Sequence, residues 1–169
     1  AQIQYNYMDT GVQATTEGLK YAHEKGAAVV IMEPLRGGYL ADPPPEAKKV
    51  IKDAPVDRSA VDWALQFLWD LPEVSVVLSG MSEMKHVEDN CKYAENSGVN
   101  TLSDQEKQVV SQLAKIYQEK ILVPCTSCRY CMPCPSGVNI PKNFAMLNNK
   151  NMKQGSISNR FLQWMITRR

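Results

Sequence analysis

The chain opens on an alternation: Ile3, Tyr5 and Tyr7 fall on one side, and Gln2, Gln4 and Asn6 on the other. A period of two marks a strand with one buried face. Over residues 17 to 25 the period becomes helical, and Gly26 follows, where glycine easily takes the left-handed conformation that ends a helix. Residues 27 to 32 (AAVVIM) form an unbroken apolar run, the pattern of a strand covered on both faces in a parallel sheet. The glycines and prolines of EPLRGGYLADPPPEA then predict a loop, with a helix resuming near Glu46. Val61, Ala64, Leu65 and Leu68 recur at helical spacing within residues 59 to 71, and Pro72 stops that helix. Residues 74 to 78 (VSVVL) predict a short strand, and residues 83 to 97 a helix ended by Gly98. Ser103 and Glu106 stand as a capping box at the head of a helix reaching Lys120. Its apolar face is Val109, Val110, Leu113, Ile116 and Tyr117.

Strand and helix thus alternate three times, which predicts an α/β fold with a parallel sheet and right-handed crossovers. Three such units are too few to close a barrel. Pro124 breaks the pattern, so the chain divides into residues 1–120 and a cysteine-rich segment with its tail, residues 121–169. The tail ISNRFLQWMITRR has the pattern of a short amphipathic helix that docks on the body.

Composition narrows the partners. Of 169 residues, 44% are hydrophobic and 22% charged, as expected of a globular chain, and 19 basic against 18 acidic residues leave a net charge of +1. That balance offers no broad basic face to nucleic acid or to an anionic membrane. No apolar run approaches the roughly 20 residues that span a bilayer, and AQIQYNYMD has no signal-peptide pattern, so a cytoplasmic location is expected.

Five cysteines are present, and four of them, Cys125, Cys128, Cys131 and Cys134, fall within ten residues as C-x2-C-x2-C-x2-C-P. Such crowding suits metal ligation by thiolates better than a spread disulfide framework. Thiolates three apart can wrap the corners of a [4Fe–4S] cubane, while structural zinc sites usually unite two ligand pairs from farther apart. Zinc and air-oxidised disulfides stay the rival readings. The last gap is one residue shorter than in bacterial ferredoxins, which leaves open whether Cys134 closes the same cluster. Gly137, Val138, Ile140 and Pro141 are expected to turn the chain into a following helix. Cys91, alone in a helical pattern, is expected to be a small core residue.

QIQYN, then EPLRGGYL at a strand end, then VVLSGMSEMKHVEDN about forty residues later, resemble strands six, seven and eight of the aldo-keto reductases. CTSCRYCMPCPSGVNIP resembles the appendix of an iron–sulfur branch of that family. The resemblance implies part of a (β/α)8 barrel of the triosephosphate isomerase type, whose sites lie at the C-terminal ends of the strands. It implies an NADP(H)- or NAD(H)-dependent oxidoreductase acting on small-molecule carbonyls. Under it Gln2 matches the residue that binds the nicotinamide carboxamide, and Met32 the position that usually packs an aromatic ring on the nicotinamide. Glu33, Leu35 and Gly37 match the pyrophosphate loop, and Gly80, Met81 and Ser82 the turn that receives the adenosine phosphate. Asp89 and Asn90 match the pair that reads the adenine. The family's basic residue for the 2′-phosphate has no counterpart among Gly80 to Ser82; only Lys85 and His86 stand nearby, and the choice of cofactor stays open. Read without the family, Met32 and Leu35 are more often plain core residues, Gly37 and Gly80 turn glycines, Asn90 a solvated residue, and His23 and His86 surface histidines.

The family's catalytic Asp, Tyr, Lys and His all precede strand six. The resemblance therefore implies that this chain is the cofactor-binding side of a longer enzyme and is inactive alone. Tyr5, Tyr7, Tyr39 and Tyr130 are read as packing or surface residues. Unpaired strand edges are expected to make the chain self-associate. A free-standing electron-transfer or binding module, with a redox partner, is the alternative from another class, and a structural zinc domain a third.

Overall fold

The structure, a computed structural model, describes residues 1–125 and 129–152. They fall into two compact units, Ala1–Ile116 and the residues from Tyr117 onward. The amphipathic tail expected at residues 157–169, and Cys128, lie outside the described residues.

The first unit carries β1 (Gln2–Gln4), α1 (Thr15–Glu24), β2 (Val30–Met32), α2 (Pro45–Lys52), α3 (Ala60–Trp69), β3 (Val76–Val77), α4 (Met84–Glu95) and most of α5 (Asp104–Lys120). The strands pair in parallel in the order β1-β2-β3, with Ile3, Ile31 and Val77 abreast in register. That row and Val29 meet α1 and α3 in an apolar cluster with Tyr5, Leu19 and Leu68, where Val29, Ile31 and Leu68 are fully buried. Phe67 of α3 stacks on Tyr5, centroids 6.1 Å apart, and meets Tyr7 edge-on. Burial raises the Tyr5 phenol above its ordinary range, although Thr16 shares a 2.7 Å hydrogen bond with its hydroxyl.

All three strands are shorter than their apolar patterns. The expectation that residues 27 to 32 form a strand buried on both faces is corrected. Only 30–32 pair as a strand; Ile31 faces the core, Val30 is half-buried and Met32 exposed. Hydrophobicity reports burial, and Val29 is buried outside the ladder as well as Ile31 inside it. The second face of the sheet, with Met32, Val76 and Leu78, stays open among the described residues.

The outward position expected for Asn6 is corrected too, because Asn6 is completely buried. The strand stops at Gln4, so alternation lapses before it reaches Asn6. Cys91, expected in the core, is exposed, since α4 buries no residue.

Polar anchors hold the helices. Ser59 caps α3 by accepting the Asp62 amide at 3.0 Å. The capping box of α5 forms as its sequence requires: the Glu106 carboxylate accepts the Ser103 amide at 2.8 Å, and the Ser103 hydroxyl accepts the Glu106 amide at 3.3 Å. Arg58 joins the starts of α3 and α5, pairing with Glu106 and, at 3.8 Å, with Asp62, while its guanidinium lies 5.0 Å from the centre of the Trp63 ring. For Glu106 burial works to raise the carboxyl pKa, but hydrogen bonds from Ser103 and the charge of Arg58 outweigh it and hold the group below the usual range.

In the second unit α6 (Ile140–Met152) follows the cysteine segment, as the glycine and proline at 137 and 141 imply. The buried Asn148 accepts the amides of Leu122 and Val123 at 3.1 Å and donates to the Val123 carbonyl at 2.7 Å. Asn151 donates to the Lys120 carbonyl. The chain before Cys125 and the helix after Cys134 are thereby tied together.

Replacing Glu106 by Gln removes a carboxylate stabilised in its ionised form. We expect a loss of about 1 kcal/mol at neutral pH. Because the folded pKa lies below the unfolded value of about 4.3, the difference should close as pH falls through that lower value. Arg58→Ala should cost about 2 kcal/mol, since it removes the counter-charge of two carboxylates. Urea unfolding of the three proteins between neutral and acid pH measures both effects.

Candidate functional site

Parallel strands end on the same side of their sheet, so the loops after β2 and β3 are neighbours. Between them and α4 lies a cavity of about 630 Å³, within the range of small-molecule sites. Met32, Pro34, Leu35, Val61 and Leu78 give it apolar walls, and Glu33, Ser79, His86, Asp89 and Asn90 supply polar groups.

The loop after β2 is tightly wound. Glu33 and Arg36 have φ of 55° and 50°, and Gly37 and Gly38 continue at 61° and 84°. The left-handed region is free to glycine but costs another residue roughly 1–2 kcal/mol, so contacts elsewhere must hold Glu33 and Arg36 there. The Glu33 carbonyl accepts the Arg36 amide at 3.0 Å and the Asn6 side-chain amide at 3.1 Å. The Asn6 side-chain oxygen Oδ1 accepts the amides of Met8 and Asp9, and the Asp9 carboxylate takes the Arg36 guanidinium at 2.7 Å. Asp9 and Arg36 side chains are only 5% and 14% exposed, so this ion pair is a buried clamp. It fastens the loop after β2 to the one after β1, and Leu40, fully buried, anchors the far end.

Across the cavity, α4 presents His86, Asp89, Asn90 and Tyr93, which share one helical face. Asn90 donates to the Ser79 hydroxyl at 3.1 Å, holding the loop after β3 against the helix. Lys85 donates to Asp89 at 2.8 Å, and that hydrogen bond is the main reason the Asp89 carboxyl sits below its ordinary range. The Tyr93 hydroxyl accepts from Ser59, and its carbonyl accepts from Gln66, so α3 fixes the position of α4.

The structure thus brings Met32, Glu33, Leu35, Gly37, Gly80, Met81, His86, Asp89 and Asn90 to one cavity. Gln2 and Ser82 are not on its lining. Gln2 pairs in register with Val30, one layer below Met32; Gln4 is the residue level with Met32. Ser82 is exposed just before α4. Tyr93, Val61, Ser79 and Gly38 also line the cavity and escaped the sequence reading. Helical spacing from His86 and Asn90 could have found Tyr93; Val61, from α3, had no local signal.

Among the described residues no three His, Cys, Asp or Glu side chains are placed to hold a metal ion. Cys125, Cys131 and Cys134 are free of disulfides, and Cys128 lies outside the described residues. Those described do not by themselves make a ligand set. Among the described residues no helix is long and apolar enough to cross a membrane.

The parallel α/β arrangement with a cavity at its strand ends has an aldo-keto reductase-like fold. Two thirds of the chain (66%) matches an aldo-keto reductase from Bacillus halodurans, with TM-scores of 0.52 to its holo form and 0.51 to its apo form at 26% identity; the match covers 41% and 42% of those chains. Over 76 residues, 45% of the chain, the sequence is 36% identical to an uncharacterized oxidoreductase of Schizosaccharomyces pombe. The chain spans about a quarter of that curated relative, 24% of its length. No family model matches the chain.

Asn6→Ala deletes a buried side chain that serves two loops. We expect a stability loss of about 2 kcal/mol. Faster hydrogen exchange should appear at the amides of Arg36 and Leu40, with α5 unchanged; unchanged exchange in the loop would refute the clamp.

Proposed function

We propose that this chain is the cofactor-binding side of a nicotinamide-dependent oxidoreductase of the aldo-keto reductase type, the whole of which interconverts carbonyls and alcohols. The observation that carries the reading is the cavity at the strand ends. Two loops and one helix, distant in sequence, bring together there most of the residues that the family resemblance gives to the dinucleotide.

The cavity suits such a ligand chemically. Met32, Leu35 and Leu78 are apolar surface for a flat ring, Gly37 and Gly80 let a backbone approach phosphate closely, and Asp89 and Asn90 are an acceptor and a donor for an adenine edge. The bound cofactor supplies the hydride. The chain's own share is to bind and orient it, through the clamped loop on one side and α4 on the other.

Carbonyl reduction also needs a general acid, and the family's tetrad is not among the residues this chain matches. The chain alone is therefore expected to bind without turning over. The edges of β1 and β3, unpaired among the described residues and with Val76 and Leu78 exposed beside them, suit pairing with further strands or with a second copy.

For the cysteine segment the proposal is a [4Fe–4S] cluster held by Cys125, Cys128, Cys131 and Cys134, in a reducing, cytoplasmic setting. It rests on the spacing, on the free thiols, and on the way Asn148 and Asn151 close the ends of the segment. No step of the reaction is routed through it.

Calorimetric titration of the chain with NADH and NADPH tests the first part. Saturable binding of one dinucleotide, weakened about tenfold or more by Gly38→Val, is expected, because a β-branched residue is strained at φ 84°. No binding of either dinucleotide sinks the reading. Anaerobic iron and sulfide analysis tests the second: about four of each per chain, lost in Cys131→Ser, is expected. Stoichiometric zinc would replace the cluster by a structural zinc site.

A further inference from the structure

The cavity proposed to hold the dinucleotide is acidic. Its described lining holds two carboxylates, Glu33 and Asp89, and no lysine or arginine. Three cations lie close by in the chain: Arg36 and Lys85 are already engaged, and Lys92 acts on Asp89 through space but is not on the cavity lining. Arg36 sits in the middle of the 33–38 loop, yet its guanidinium turns to Asp9 at 2.7 Å, in a pair 14% and 5% exposed that Asn6 helps fix. Lys85 reaches Asp89 at 2.8 Å across one helical turn. His86 is the remaining basic side chain on that lining, and it shares the field of Asp89.

From this pattern we infer that the site selects a dinucleotide without a 2′-phosphate, NAD(H) over NADP(H), with Asp89 and Glu33 as the residues that set the choice. The inference rests on the dinucleotide reading above. A ribose 2′-hydroxyl carries no charge, so it sits without penalty in the field of two carboxylates that line the same cavity. A phosphate monoester carries about −1.5 to −2 charge at neutral pH and requires a guanidinium or ammonium to neutralise it. Arg36 cannot turn to it without leaving a buried carboxylate unpaired, which is costly. Lys85 is different: its side chain is 75% exposed, and a surface pair of this kind opens easily. Asp89 is thus both a repelling charge and the group that occupies the one nearby ammonium on α4's first turn.

The test is calorimetric titration of the whole chain with NADH and with NADPH, at about 0.02 M and about 0.5 M salt, for the wild type, Asp89→Asn and Glu33→Gln. NADH should bind about tenfold more tightly at low salt, and the preference should shrink at high salt as the carboxylates are screened. Asp89→Asn removes a carboxylate and releases Lys85, so it should move the NADPH-to-NADH affinity ratio about tenfold towards NADPH. Glu33→Gln should move it the same way by less, and reports on the proposal if Asp89→Asn fails to fold. Equal or tighter NADPH binding by the wild type, or a ratio unmoved in the folded variants, overturns the selectivity and leaves the dinucleotide reading standing. Binding of neither dinucleotide overturns both.

Discussion

Parallel pairing of the three strands is the constraint from which the rest follows. With Gln2, Val30 and Val76 abreast, and Ile3, Ile31 and Val77 abreast one step on, every strand delivers its following loop to the same end. One face of that small sheet is sealed by α1 and α3 through Leu19, Phe67 and Leu68. Among the described residues the other face is left open, and the cavity forms where its top edge meets the loops after β2 and β3. Function in folds of this kind collects at strand ends because the sheet fixes the loops while leaving their sequences free.

A loop that lines a cavity with glycines and a carboxylate buries little apolar surface of its own. Its shape is therefore held by polar contacts at its back. Asn6, Asp9 and Arg36 do this for the 33–38 loop, and Ser79 with Asn90 for the loop after β3. The clamp has an electrostatic consequence as well as a mechanical one, because the cation that braces the loop is turned away from the cavity it shapes. The ion pair that steadies the loop is also what leaves the cavity lining without that guanidinium.

The second unit is organised differently. None of the described side chains of residues 121–134 is buried, and α6 is tied to the start of the segment by Asn148, which accepts the Leu122 and Val123 amides and donates to the Val123 carbonyl, and by Asn151, which donates to the Lys120 carbonyl. The cluster proposed for these thiolates would supply the rigidity that buried apolar side chains do not.

Periodicity alone determined the succession of strands and helices, the capping box at Ser103, and the stops at Gly26 and Pro72, because these depend on neighbours within one or two turns. Residue types at the ends of the apolar runs, together with the family resemblance, marked most of the cavity lining in advance. The burial of Asn6, the exposure of Cys91, the contribution of Val61 and Tyr93, and the pairing of Arg36 with Asp9 rather than with the cavity were decided only by the tertiary structure. Each depends on where a strand stops or which helix lies opposite. A side chain's surroundings are fixed by residues tens of positions away, and no local pattern carries that information.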